Sequence, residues 1–153
     1  MNQLPPTPNT KELDEWVKET LNAGVYSFLE IVNIDSAFVE AKAAWVLPFQ
    51  ILIGKIRAQT QPEEFTWIVC GNLPTDYVGG SVAATPRDAA KHFSLKWQLN
   101  ASQIQAKNNH ETSVKQEKDD DANNIINHAE ALYELAQNDS LWSPQDQNST
   151  SGN

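Results

Sequence analysis

Residues 44–57, AWVLPFQILIGKIR, decide between a helical and a mixed fold. Trp45, Leu47, Phe49, Ile51 and Ile53 alternate with Val46, Gln50, Leu52 and Ile56, which is the period of an extended strand. The enrichment in β-branched residues favours a strand over a helix. Pro48 cannot donate to a central ladder, so this strand is expected at a sheet edge, with a bulge, or with its start at the proline. Residues 60–64 hold a proline and two acids and read as a hairpin loop. Residues 65–70 form a second strand, apolar on both sides except for Thr66. Gly71 to Asp76 then break it, and residues 78–82, VGGSV, form a bent third strand or a loop.

Helical periodicity flanks this β region. Asn9 or Thr10 caps a helix with Glu12 in a capping-box position, and Leu13, Trp16, Val17 and Leu21 line one face. Gly24 is expected to end or bend that helix, with Val25, Phe28, Leu29 and Val32 carrying a second short one. Residues 33–36 read as a turn. Thr85-Pro86-Arg87-Asp88 is a helix start, with Thr85 as cap and Pro86 in the first helical position. Ala89, Phe93, Trp97, Ala101 and Ile104 then form one stripe, while Leu95 and Leu99 lie on another side. Residues 107–121 read as a polar linker, and a regular amphipathic helix follows from Ala122 to Ala136. Leu141 and Trp142 are expected to tuck back onto the body.

The expected class is α+β: a small antiparallel sheet of two to four strands packed against three to four helices. A flexible lead-in at 1–9, a single domain at 10–142 and a disordered Ser/Gln/Asn/Gly tail at 143–153 complete the organisation. At 153 residues with 40% hydrophobic content, one domain can bury a core.

The net charge is −9, unevenly spread. Residues 41–107 carry seven bases and four acids, whereas 1–40 carry two against seven and 108–153 two against nine. Such a field repels a phosphate backbone, so no nucleic-acid partner is expected. One cysteine excludes an internal disulfide and cysteine-rich zinc sites. The N-terminal stretch lacks the basic and apolar regions of a signal peptide, and no run approaches the roughly 20 apolar residues of a membrane span. A cytoplasmic location and no membrane partner are therefore expected.

Candidate site residues cluster around residues 67–77, WIVCGNLPTDY, and the helix that follows. Asn72, Pro74 and Asp76 are turn formers, but Asn72, Thr75 and Asp76 also offer polar groups to a ligand. Tyr77 can stack on one, and Trp67 is expected in the core. The Gly79-Gly80 amides, Arg87 and the helix start are a weak anion site, and His92 lies one turn after Asp88. The ligand-binding set is thus Asn72, Thr75, Asp76, Tyr77, Gly79, Arg87 and His92. Cys70 with His92 is a conceivable nucleophile and base, but its apolar strand favours a core role. No phosphate loop, dinucleotide motif, His-Glu-x-x-His or calcium loop occurs, so no metal or cofactor is expected. Phe93, Leu95, Trp97 and Leu99 are the candidate interface for a protein partner or a homodimer.

The Trp45-Val46-Leu47-Pro48 start, the segment WIVCGNLPTDY, and Pro86-Arg87-Asp88-Ala89 leading to His92-Phe93-Ser94-Leu95-Lys96-Trp97 together resemble a bacterial family of uncharacterised domains, the domain of unknown function 4826 family. The resemblance covers residues 45 to about 104. It implies a small bacterial cytosolic domain, with no catalytic set or cofactor. Family members usually have Asp where this chain has Asn72, which weakens any proton-transfer role there. The expected function is a non-enzymatic interaction or accessory protein. The alternatives are a small-ligand binder or modest enzyme at the rim, and an immunity-like protein that binds a basic partner.

Overall fold

The computed structural model describes residues 10–32, 39–61, 63–108 and 115–142, without the side chains of 108 and 115–120. The expected lead-in, the turn at 33–36 and the tail lie outside the described residues. The fold is α+β, with three α-helices and one four-stranded antiparallel sheet among the described residues. It divides into two compact units, Met1–Gly80 and Ser81–Asn153.

The first unit holds α1 (Thr10–Val32), β1 (Val39–Leu47), β2 (Ile51–Ala58), β3 (Thr66–Gly71) and β4 (Asp76–Gly79), with the strands side by side in sequence order. Residues 44–57 are therefore not one strand. They are the end of β1, a tight turn and most of β2. Gln50 N–H donates to Leu47 O at 2.9 Å across the turn. Pro48 takes the second turn position, where its fixed φ suits the bend, and Phe49 at the third has φ 62°. A positive φ costs a side-chain-bearing residue about 1 kcal/mol. The Phe49 ring gains a contact in return, 5.8 Å from that of Trp16.

The alternation of faces nevertheless survives the turn. Leu47 pairs with Ile51, four residues on, so the parity of the pattern is unchanged. Leu52 and Ile56 of β2 and Ile68 and Cys70 of β3 face α1 and form a buried cluster with Leu21, Phe28 and Leu29. Val39, Ala43 and Val46 of β1 and Tyr77 of β4 border it. β3 is buried on both faces, as its apolar run implies, and Trp67 is fully enclosed. Phe65 meets the Trp67 ring edge-on at 5.1 Å, and Lys55 Nζ lies 5.0 Å from its centroid.

α1 runs unbroken through Gly24, contrary to the expected end or bend. A glycine inside a helix costs about 1 kcal/mol relative to alanine. Here its missing side chain lets the helix approach the sheet, since a Cβ at Gly24 would lie 3.1 Å from Cys70 Sγ. Close packing, not chain reversal, explains this glycine.

The second unit is a helical hairpin of α2 (Pro86–Asn108) and α3 (Lys115–Gln137). Thr85 caps α2 as read from the sequence, its Oγ1 accepting from Asp88 N–H at 3.1 Å. The helices run antiparallel: Ser94 Oγ donates to Ala129 O at 2.9 Å, and Arg87 Nε donates to Ala136 O at 2.7 Å. Ala122, Ala129 and Ala136 recur every seven residues on α3 and are fully buried, a small-residue seam that permits close helix approach. α3 starts at Lys115, seven residues before its apolar pattern begins, so the second half of the expected linker is helical. Trp142 does tuck back, donating from Nε1 to Leu135 O at 2.9 Å.

Candidate functional site

A cleft of about 220 Å³ opens in the first unit between α1 and the exit of β3. Trp16, Thr20, Ala23 and Gly24 form the helix side, at spacings of three and four that bring them to one face. Cys70, Gly71, Asn72 and Thr75 form the sheet side. Ala23, Gly24 and Gly71 are the small residues of this lining.

The sheet wall is held by a backbone staple. Gly71 has φ 109°, a conformation side-chain-bearing residues rarely adopt. This twist lets Asn72 N–H donate to Gln50 O at 2.7 Å, joining the exit of β3 to the β1–β2 turn. Asn72 Nδ2 also reaches Phe49 O, at 3.4 Å. Asn72 and Thr75 are exposed at the rim.

Cys70 is only 2% exposed, and burial pushes its thiol up to about 12 from an ordinary value of 9.0. At neutral pH it is a protonated, apolar filler and not a nucleophile. Native Cys70 is therefore expected to react with a thiol reagent at least about tenfold more slowly than the unfolded chain, which absorbance at fixed pH reads directly. The same shift has a definite sign in stability. The native state keeps its proton above pH 9, where the unfolded chain loses it, so stability falls by about 1.4 kcal/mol per pH unit from there towards pH 12. Cys70→Ala is expected to remove that slope in alkaline urea titrations.

The remaining candidates are distributed as follows. Asp76 begins β4, where its Oδ1 accepts from Tyr77 N–H at 2.8 Å. The Tyr77 ring lies on the α1 face, edge-on to Phe28 at 4.9 Å. Gly79 ends β4 with open space where a Cβ would stand. Of the first-unit candidates, the structure brings Asn72 and Thr75 together at the cleft. Arg87 and His92 belong to the second unit. The Arg87 guanidinium is engaged by Ala136 O and by Asp139 Oδ1, at 2.6 Å, so it closes the helical hairpin. His92 is half-buried on α2. On the same helix Phe93 and Trp97 are buried, whereas Leu95 and Leu99 are exposed.

Sequence reasoning placed Trp16 on the core face of α1 and did not connect Thr20 and Ala23 with the WIVCGNLPTDY turn. The adjoining small residues Ala23-Gly24, with a tryptophan about two turns earlier, are the signal that marks the helix side. Among the described residues, no group of three or more His, Cys, Asp or Glu side chains is placed to hold a metal. No helix among them is long and apolar enough to cross a membrane.

These features define an α+β protein with a helix-backed antiparallel meander, a helical hairpin and a small cleft of hydroxyl, amide and indole groups. The chain belongs to the family described as domain of unknown function (DUF4826), whose model matches residues 11–142. The match extends well beyond residues 45–104, where the resemblance was legible, and takes in α1 and α3. No curated protein and no solved structure shows significant similarity to the chain.

Proposed function

We propose that this chain is a non-enzymatic interaction or accessory protein of the bacterial cytoplasm. The observation that carries this reading is on α2. Leu95 and Leu99 are 58% and 60% exposed, and their spacing of four places them one above the other on a single helix face. Isolated exposed apolar residues are ordinary, but two aligned leucines form the kind of anchor pair that a partner's apolar groove receives. An immunity-like role would instead use the chain's overall net charge of −9, which attracts a basic partner at long range.

Pull-down with the full chain tests this reading. A partner captured by the native protein is expected to be lost with Leu95→Ser/Leu99→Ser, while circular dichroism and the urea midpoint stay within about 0.5 kcal/mol of the native values. Undiminished capture by the variant counts against the α2 face.

The cleft supports a second reading, binding of a small neutral molecule. Its volume lies below the roughly 300–1,000 Å³ of sites for drug-sized ligands. Its rim offers the Thr20 and Thr75 hydroxyls, the Asn72 amide and the Trp16 ring. These groups hydrogen-bond and stack, and Cys70, protonated through the neutral range, supplies no base.

A further inference from the structure

We propose that β1 is a self-association edge: it pairs antiparallel with β1 of a second copy of this chain, centred on Ala41, joining two four-stranded sheets into one.

β1 lies at the end of the sheet, and among the described residues no strand pairs with its outer side. A strand edge of this kind is a template for another strand. Glu40, Ala41 and Lys42 are all exposed. The opposite edge, β4, has four residues against nine in β1, so it offers a much shorter ladder.

Two independent features select the same centre. The first is the bulge. The β1–β2 register is regular from Val39 to Ala43 and shifts between Ala43 and Trp45, so the straight part of β1 is residues 39–43. Its midpoint is Ala41. The second is charge. A two-fold axis normal to the sheet keeps each side chain on its own face, so the axis must pass through a residue position. Centred on Glu40, it would oppose Glu40 to its own copy, and centred on Lys42, it would oppose two lysines. Centred on Ala41, it sets Glu40 opposite Lys42 of the second copy, and Lys42 opposite Glu40 of the second copy, both on one face. Ala41 meets its own counterpart on the other face, where the small side chain leaves room. Opposite charges directly across a ladder are favourable and like charges unfavourable. The Glu-Ala-Lys triplet is thus self-complementary in antiparallel register.

The pairing is short, so the association is weak and is read at high protein concentration. Sedimentation equilibrium of the full chain at low salt, up to about 1 mM, is expected to show a monomer–dimer equilibrium that weakens as salt is raised. Glu40→Lys alone, or Lys42→Glu alone, turns both pairs into like charges and is expected to raise the dissociation constant about tenfold. The double variant Glu40→Lys/Lys42→Glu restores both pairs with the charges exchanged and is expected to dimerise like the native chain. An equimolar mixture of the two single variants is expected to form a heterodimer, because one copy then presents two lysines to two glutamates. Both positions are exposed, and circular dichroism confirms that each variant is folded. A chain that stays monomeric throughout overturns the proposal. So does a dimer indifferent to the single reversals, or one that neither the double variant nor the mixture restores. The proposal does not rest on the α2 face: Leu95→Ser/Leu99→Ser is expected to leave this dimer intact.

Discussion

Gly71→Ala is expected to destabilise the chain by about 3–5 kcal/mol, read as a drop in the urea midpoint without a change in slope. Two costs combine. At φ 109° a residue with a Cβ is strained, and the added carbon would stand 2.5 Å from Gln50 O. That oxygen is backbone and cannot swing aside as a side chain would. It also accepts the 2.7 Å hydrogen bond from Asn72 N–H, so relieving the clash breaks the staple between the β1–β2 turn and the exit of β3. Gly79→Ala is the matched control. A Cβ added there meets nothing within 4 Å, and the change is expected to stay within about 0.5 kcal/mol of native. Equal effects at the two glycines would refute the account of the staple.

Arg87→Met is expected to cost about 2–3 kcal/mol and to loosen the C-terminal end of the hairpin, with a red shift in tryptophan emission as Trp142 becomes wetter. Methionine keeps the apolar stem but removes the donors. The buried acceptor Ala136 O then loses its charge-assisted partner. An arginine in the first turn of α2 is poorly placed for its own helix dipole. It is well placed for that of α3, whose last carbonyls carry partial negative charge. Asp139→Asn is expected to cost well under 1 kcal/mol, because the aspartate is 80% exposed and its ion pair is screened by water. A loss at Asp139 as large as that at Arg87 would mean that the ion pair, and not the carbonyl contact, holds the end together.

Much of the local structure was legible because it is written in periodicity. The cap at Thr85, the stripe through Phe93 and Trp97, and the apolar run of β3 each follow from residues close in sequence. Other segments carried a weaker signal or none. Val39 to Ala43 alternates, but its apolar members Ala41 and Ala43 are small and poor strand formers, so the signal is faint and the first half of β1 was missed. The segment from Lys115 to Asp121 is polar throughout, so its helical turns left no hydrophobic trace. Asp76 and Tyr77 were read as the exit of a turn, yet they pair with Val69 and Ile68 as the first residues of β4. Of the residues that line the cleft, Asn72 and Thr75 were among those singled out in the sequence. Thr20 and Ala23 were not, because residues some fifty positions apart in sequence meet only once α1 lies on the sheet.

By itself, the sequence determined the α+β class, the face each apolar residue of β2 and β3 takes, and the start of α2. These depend on backbone preferences and on the alternation of side chains, which are local. Pro48 follows β1, which is an edge strand with a bulge, and takes the local turn that its fixed φ suits. The tertiary structure alone decided the meaning of two residues. Gly24 serves close packing against Cys70 instead of ending a helix. Arg87 closes the far end of α3 instead of standing ready for an anion. In each case the deciding partner lies more than twenty residues away, and no local pattern encodes a contact whose free energy is realised only when distant segments meet.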